Sequence, residues 1–328
     1  MSVLEVRGLT RTFDTDEGKV EAVRGIDLTM ESGEIVGFLG RNGAGKTTTM
    51  RMLTTLLTPT SGSAVVAGDD ILSNPTGVRH HIGYVAQNGG ADPTAKVGDE
   101  LLMQGRLYRM SRAESEKRSR EVAATLGLVD LWDQQTQNLS GGQRRRLEIA
   151  FGLLHRPTVL FLDEPTAGLD PPSRAQLWEY IRRLRREHDL TVFLTTHYLE
   201  EADSLCDRVL FIEQGRIVAE GTPDDLKSAL AGDSVTVRVG SEPERAVAVL
   251  SQRDDVTASR MDGDEILLTV VHSEGMLVDI VRALDAAGLE PLAVSATRPS
   301  LESAFLQATG APISEETEEE PEASSAYA

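Results

Sequence analysis

The stretch EIVGFLGRNGAGKTTTM, residues 34–50, decides the fold. An apolar, strand-like run at 34–40 leads into a glycine-rich turn that matches G-x-x-x-x-G-K-[ST], and then into a helix-forming segment. In such a turn small residues let backbone N–H groups point inward around a β-phosphate, and the helix N-terminus adds a partial positive charge. Lys46 is expected to reach the β- and γ-phosphates, and the Thr47 hydroxyl to ligate Mg²⁺. The stretch therefore predicts an α/β nucleotide-binding domain.

A second part of the same site is predicted by TVLFLDEP, residues 158–165. Four apolar residues precede Asp163 and Glu164, so a buried strand would present both acids at the carboxyl edge of the sheet, where α/β proteins bind ligands. Asp163 would hold the Mg²⁺ shell, and Glu164 would polarise the attacking water as a general base. The alternative is a pair of acids that cap a helix after a core strand.

The stretch NLSGGQRRRLEIAFGLL, residues 138–154, predicts a second anion site. Ser140, Gly141 and Gly142 open a helix, and a hydroxyl with two glycines at a helix start can hold an anion. Because the chain has one lysine-bearing phosphate loop, this second site is expected to serve the nucleotide of another subunit. The arginines at 144–146, and the group Arg182, Arg183, Arg185 and Arg186, are interpreted as solvated helix faces.

The distribution of charge divides the 328-residue chain, whose formal net charge is −19. Residues 1–232 carry 27 basic and 33 acidic side chains, residues 233–312 carry 6 and 13, and residues 313–328 carry none and 6. We therefore expect a nucleotide-binding domain at 1–232, a small domain at 233–312 and an acidic disordered tail at 313–328, with a partner-binding acidic arm as the alternative for the tail.

Composition also excludes several classes of protein. The acidic balance argues against binding nucleic acid through bulk charge. The one cysteine, Cys206, excludes an internal disulfide and is interpreted as a small buried apolar residue. The chain has no apolar run of about 18 residues, so we expect no membrane-spanning helix.

Apolar periodicity within residues 233–312 predicts the order βαββαβ, which is typical of a ferredoxin-like sandwich. A short helix, Ser300–Gln307, is expected to close this domain. No pattern of catalytic residues is recognisable in it.

The strings GRNGAGKTT, LSGGQ, VLFLDEPTAGLD and a later TTH together make residues 3–230 resemble an ATP-binding-cassette (ABC) ATPase. The resemblance implies a P-loop NTPase fold with a RecA-like core, an antiparallel β subdomain and a helical subdomain at about residues 89–156, followed by the small α+β domain. It also implies ATP and Mg²⁺ as cofactors.

The resemblance assigns roles to individual residues. Glu164 resembles the catalytic glutamate, His197 the switch histidine and Gln87 the Q-loop glutamine, while Phe13 lies where the family has an aromatic that stacks on adenine. Residue type alone leaves an alternative for each of three residues. Gln87 could be an ordinary polar residue at a strand end, Phe13 a core aromatic, and His197 a helix-capping or core histidine. The predicted catalytic residues are Glu164, His197, Gln87 and Lys46; the predicted nucleotide-binding residues are Phe13, Gly40, Arg41, Asn42, Gly43, Ala44, Gly45, Lys46, Thr47, Thr48, Ser140, Gly141, Gly142, Gln143 and Asp170; and the predicted Mg²⁺ ligands are Thr47, Gln87 and Asp163.

Within that family, residues 152–178, 195–209 and 299–310 are similar to the drug-exporter branch of the daunorubicin/doxorubicin-resistance type. This implies an ATP hydrolase that forms a homodimer in its ATP-bound state and lies on the inner face of the cell membrane through a separate integral membrane permease. It would drive export of a drug or other hydrophobic compound, with no nucleic acid partner. Two alternatives stay open: export of a lipid, peptide or ion, and a soluble ABC ATPase without a transport role.

Overall fold

The computed structural model describes residues 2–16, 18–87, 89–230, 233–263, 265–270, 276–297, 300–310 and 313. The strands are β1 (Ser2–Thr15), β2 (Gly18–Glu31), β3 (Ile35–Leu39), β4 (Ser61–Val66), β5 (Asp69–Asp70), β6 (Ile82–Val85), β7 (Val159–Asp163), β8 (Thr191–Thr196), β9 (Arg208–Glu213), β10 (Arg216–Gly221), β11 (Asp233–Val239), β12 (Val256–Asp262), β13 (Glu265–Val270) and β14 (Pro291–Thr297). The α-helices are α1 (Lys46–Leu53), α2 (Pro75–His81), α3 (Val97–Leu107), α4 (Arg112–Thr125), α5 (Gly141–Leu153), α6 (Pro171–His188), α7 (Leu199–Leu205), α8 (Pro223–Leu230), α9 (Pro243–Leu250), α10 (Met276–Ala286) and α11 (Leu301–Thr309). In this part of the chain no helix has both the length and the apolar character needed to cross a bilayer.

The central sheet has the order β10-β9-β3-β8-β7-β6, and its strands are parallel except for β10, which pairs antiparallel with β9. Every residue of β3, β7 and β8 is buried, as expected for parallel strands covered on both faces. Three phenylalanines fill the sheet interior, with Phe193 lying 5.7 Å from Phe38 and 5.7 Å from Phe161 between ring centroids. The carboxyl ends of β3, β7 and β8 therefore meet at one edge, which is where the functional residues follow.

Two smaller layers flank this sheet, as the resemblance implies. An antiparallel sheet of order β2-β1-β4-β5 packs on one side through an apolar cluster that includes Leu4, Ile26 and Met50. Helices α3, α4 and α5, with two short 3-10 turns, occupy residues 97–153 between β6 and β7. The predicted fold class, a P-loop cassette with β and helical subdomains, is confirmed.

Residues 233–297 form a separate four-stranded sheet of order β12-β13-β11-β14 with all pairs antiparallel. The element order β11-α9-β12-β13-α10-β14 confirms the predicted βαββαβ pattern. Its own apolar cluster contains Val235 and Val237 from the sheet, with Ile280 and Leu284 from α10.

Helix α11 differs from its prediction, because it packs on the layer around the central sheet. Leu301, Ala304 and Phe305 are buried in the large cluster of the central sheet, and the ring of Phe305 meets that of Phe211 on β9 edge-on at 5.2 Å. The spacing of these three residues makes one apolar stripe on α11, and α8 and β9 offer the matching surface. Ile313 is buried in the same cluster, while the rest of the predicted acidic tail, 314–328, lies outside the described residues.

Replacing Phe305 by alanine is expected to lower the free energy of unfolding by about 3–5 kcal/mol, since it removes a fully buried aromatic from the core. Urea unfolding followed by circular dichroism would measure it. Leu306→Ala, on the exposed side of the same helix, is the matched control and should stay within about 0.5 kcal/mol of the parent. Equal losses in the two variants would contradict the docking of α11 on this surface.

Candidate functional site

The phosphate loop joins β3 to α1. At two of its positions, any residue larger than glycine would collide with neighbouring backbone. Gly45 has φ of 108°, and a Cβ there would lie 2.6 Å from the carbonyl oxygen of Ala22. A Cβ at Gly40 would lie 2.5 Å from the carbonyl oxygen of Ile212. Both contacts are with backbone that cannot move cheaply, so the sequence requirement for glycine is steric as well as conformational.

Lys46, the first residue of α1, is buried beneath this loop. Its Nζ donates hydrogen bonds to the carbonyl oxygens of Gly40 at 2.7 Å and Arg41 at 3.2 Å. The same Nζ lies 3.2 Å from Oε1 of Glu164. The loop therefore holds a cation at the positive end of a helix, an arrangement that attracts phosphate.

Asp163, the last residue of β7, sits at the base of the site. Its Oδ1 accepts hydrogen bonds from the hydroxyl of Thr195 at 2.6 Å and from that of Thr47 at 3.2 Å. The Asp163 carboxylate and the Thr47 hydroxyl are hard oxygen donors side by side, which is the donor chemistry that Mg²⁺ prefers when phosphates and water complete its shell. The residues present fit the predicted metal.

The predicted catalytic residues converge on the carboxylate of Glu164. Its Oε2 accepts a hydrogen bond from Nε2 of Gln87 at 3.3 Å and lies 3.2 Å from Nδ1 of His197, while Oε1 faces Lys46. Burial raises the pKa of Glu164, but His197 and the charge of Lys46 outweigh it, so that the pKa lies below the ordinary value of 4.5. Glu164 is therefore ionised at neutral pH and able to accept a proton.

The backbone at Glu164 is held in a rare conformation. Its φ is 44°, in the left-handed region that non-glycine residues seldom adopt. The Glu164 N–H donates to both the carbonyl oxygen and the hydroxyl of Thr195, at 3.1 and 3.0 Å. Thr195 thus holds both acids: its hydroxyl donates to the Asp163 carboxylate, and its hydroxyl and carbonyl oxygens accept the Glu164 N–H. These bonds hold the Glu164 side chain toward Lys46 of the phosphate loop.

The alternative, in which Asp163 and Glu164 cap a helix, does not describe their geometry. The next helix, α6, begins at Pro171, and its N-cap is Asp170, whose carboxylate accepts the N–H of Ser173 at 2.8 Å. That hydrogen bond lowers the pKa of Asp170, and the side chain is exposed.

A cavity of about 410 Å³ opens between these groups. Most of the predicted phosphate-loop and catalytic residues line it, together with Ala22 and Tyr198, which were not predicted. The lining residues are Ala22, Arg41, Asn42, Gly43, Gly45, Lys46, Thr47, Thr48, Gln87, Glu164, His197 and Tyr198.

Residues Ser140–Gln143 lie outside this cavity, at the start of α5. Ser140 and Gln143 form a reciprocal capping box, in which the Ser140 hydroxyl accepts the Gln143 N–H at 3.2 Å and Gln143 Oε1 accepts the Ser140 N–H at 2.9 Å. Gly142 packs so closely on α6 that a Cβ would lie 3.0 Å from the hydroxyl oxygen of Ser173. Within one chain the predicted signature residues therefore do not join the phosphate loop.

Phe13 also lies outside the lining of that cavity. It is half-buried on β1, so the interpretation as a core aromatic does not hold, and the guanidinium of Arg11 lies 4.5 Å from its ring centroid.

The interpretation of the arginines as solvated helix faces is wrong at Arg145 and Arg146, and Arg182 and Arg185 also bond to neighbouring segments. Arg145 is 6% exposed and bonds to the loops around Asp163 and Gln87, whereas Arg144 is exposed as predicted. Arg185 donates to the Gly33 carbonyl oxygen at 2.8 Å and pairs with Asp207 at 2.8 Å. Cys206 is buried, as predicted, and burial raises the pKa of its thiol well above 9.0.

Two residues that contact the site, Thr195 and Arg145, were not predicted, although the sequence contains a pattern that points to each. Thr195 is a polar residue near the end of β8, two residues before His197. Arg145 lies three residues before Glu148 and four before Ile149, on the face of α5 that packs inward.

The chain is similar to known proteins along most of its length. A family model described as "ABC transporter" matches residues 23–167. The chain is 39% identical over 319 residues to the daunorubicin/doxorubicin resistance ATP-binding protein DrrA of Streptomyces peucetius, covering 97% of this chain and 95% of that protein. It is 35% identical over 297 residues to the linearmycin resistance ATP-binding protein LnrL of Bacillus subtilis (strain 168), covering 89% of this chain and 95% of that protein. Among solved structures, the ATP-binding cassette MJ0796 in a post-hydrolysis state bound to ADP and Pi is similar with a TM-score of 0.60 at 26% identity, covering 67% of this chain and 98% of that chain.

Proposed function

The chain belongs to the ABC transporter family as an ATP-binding, ATP-hydrolysing subunit, and from this premise we propose that it powers export of a drug or other hydrophobic compound through a separate membrane permease. The observation that carries the proposal is the convergence of Lys46, Gln87 and His197 on the ionised Glu164 at the mouth of the phosphate-loop cavity. Similarity along nearly the whole chain to a drug-resistance protein supports the choice of cargo.

Hydrolysis depends on groups that bind the phosphates and on a base that activates water. Backbone N–H groups of residues 40–48 and the Nζ of Lys46 bind the β- and γ-phosphates, and Lys46 exchanges its present carbonyl partners for phosphate oxygens. Glu164 orients water in line with the γ-phosphate and accepts its proton, with its pKa kept low by its neighbours. His197 and Gln87 lie close enough to hold that carboxylate and the reacting groups in place.

Thr47, Asp163 and Gln87 would hold Mg²⁺, whose chemistry here would be to neutralise charge on the phosphate oxygens. Thr195 keeps the Asp163 carboxylate aimed at this position through its 2.6 Å hydrogen bond. Phe13, partly exposed on β1, would stack on the adenine ring.

Homodimerisation in the ATP-bound state completes the proposed cycle. The helix start at Ser140–Gln143 lies outside the chain's own cavity. The capping box uses the N–H groups of Ser140 and Gln143, so the N–H groups of Gly141 and Gly142 and the Ser140 O–H are the donors that would serve the nucleotide of a second copy. Asp170, exposed at the neighbouring start of α6, would lie at the same interface. Closure of the two copies over ATP is the step that the permease would sense, and the chain would stay on the inner face of the membrane through that contact.

The proposal is tested by purifying the full chain from membranes with its co-purifying permease and reconstituting both in inverted vesicles. We expect ATP-dependent accumulation of doxorubicin as the probe cargo, lost with Glu164→Gln. Accumulation of a labelled lipid, peptide or ion in its place would favour that alternative cargo. Association with ribosomes, and with no membrane protein, would contradict the transport proposal and favour a soluble ABC ATPase.

A further inference from the structure

Arg145, on the buried face of α5, uses all five of its N–H donors. Nε donates to the carbonyl oxygen of Pro165 at 2.9 Å, and Nη2 donates to those of Asp163 at 2.8 Å and Glu164 at 3.4 Å. Three consecutive carbonyl groups that surround the catalytic acid are thus bound by one planar guanidinium. The side chain is 6% exposed, so these carbonyls have little access to water as an alternative partner.

The remaining nitrogen of Arg145 reaches a different loop. Nη1 donates to the carbonyl oxygen of Ala86, the residue before Gln87, at 2.6 Å, and to Oε2 of Glu148 at 2.9 Å. Glu148 is also buried, and it lies so close to Gly89 that a Cβ at that glycine would collide with its carboxylate. The Arg145–Glu148 pair therefore joins the helix that starts at Ser140 to the segments on both sides of Gln87.

We infer that Arg145 is a positioning residue for hydrolysis, which locks the backbones that carry Glu164 and Gln87 to the α5 helix. This inference rests on the proposed roles of Glu164 and Gln87 at the site. The left-handed backbone of Glu164 costs free energy, and the carbonyls on either side of it are held by the guanidinium. A small rotation of this peptide would move the Glu164 carboxylate away from Gln87 and from the water that it orients.

The geometry requires arginine in particular. A lysine at position 145 would present three donors on a single nitrogen, which cannot span carbonyls on two separate loops. The neighbouring Arg146 supplies a matched comparison: it donates to the carbonyl oxygens of Leu126 and Gly127 at 2.9 and 3.2 Å, and to the Tyr180 hydroxyl. Arg146 thus has a similar role as a backbone ligand, at a place that touches no residue of the site.

The test compares Arg145→Lys with Arg146→Lys in the full-length chain. Titration with a fluorescent ATP analogue gives the affinity and the fraction of competent sites, and phosphate release gives kcat per competent site. For Arg145→Lys we expect kcat per competent site to fall about 10²-fold with the ATP affinity within about twofold of the parent. For Arg146→Lys we expect the melting temperature to fall while kcat per competent site stays at the parent value.

Equal kcat per competent site in Arg145→Lys and the parent would overturn the inference and leave Arg145 a purely structural residue. If Arg145→Lys does not fold, the double variant Arg145→Met/Glu148→Met removes both buried charges together and so avoids an unpaired one; it should bind ATP and show the same loss of kcat. Glu164→Gln in the same assays separates the two proposals: full turnover in that variant would refute the proposed site, whereas its loss with full turnover in Arg145→Lys would refute only the role of Arg145.

Discussion

Glu164→Gln is expected to abolish ATP turnover while leaving ATP binding and ATP-driven dimerisation intact. The amide has nearly the shape of the carboxylate, so the contacts with Gln87 and His197 at 3.3 and 3.2 Å have room to persist. It cannot accept the proton of water, and loss of a general base costs about 10²–10⁴-fold in rate. Binding of the phosphates depends mainly on the loop at 40–48, which the substitution leaves unchanged.

The ionisation state of Glu164 strengthens this expectation. Burial alone would raise its pKa, yet His197 and Lys46 hold the pKa below 4.5, so that essentially every copy of the parent carries the charge at neutral pH. The variant therefore removes the base from the entire population. Phosphate release measures turnover, and light scattering after size-exclusion chromatography with and without ATP measures dimerisation.

Glu116→Gln, at an exposed position on α4, is the control for this experiment and should match the parent in both assays. Turnover by Glu164→Gln equal to that of the parent would contradict the assignment of the base. Loss of ATP binding together with turnover would show that Glu164 acts through the structure of the site.

The sequence was most informative where function forces particular residue types into short segments. One short loop contains Gly40, Gly45 and Lys46. The strand–loop–helix unit and its phosphate-binding role could therefore be predicted from the sequence. Gln87, Glu164 and His197 lie far apart in the sequence, and only the resemblance to a family predicted that they share one site. The structure places Gln87 and His197 beside the Glu164 carboxylate.

The parts that were missed depend on contacts between distant segments. Arg145 stands between two other arginines, and only the packing of α5 against β6, together with the hydrogen bonds to the end of β7, decides which of the three is most deeply buried. The apolar stripe of α11, which includes Phe305, would look the same in the sequence whether the helix packed on the small sheet or on β9. Periodicity therefore predicts which face of the helix is buried, but not which element covers that face. Which segments a side chain contacts depends on the complementary shapes of distant elements, and local sequence patterns do not encode that complementarity.

Lys46→Ala is expected to lose nucleotide binding and, with it, turnover. Lys46 is 5% exposed at the start of α1, where its charge adds to that of the helix N-terminus, and the same ammonium would contact two phosphates. Hydrogen bonds from a charged donor contribute about 1.5–3 kcal/mol each. Loss of two such bonds corresponds to an ATP affinity lower by roughly 10²–10⁴-fold.

The substitution also removes the cation that lies 3.2 Å from the Glu164 carboxylate. Because the charge of Lys46 lowers the pKa of Glu164 and burial raises it, that pKa should rise in the variant. Titration with a fluorescent ATP analogue measures the affinity, with Lys117→Ala at an exposed position of α4 as the control that should bind like the parent. An affinity of Lys46→Ala within twofold of the parent would contradict phosphate binding by this loop, since no other lysine lines the cavity of the described chain.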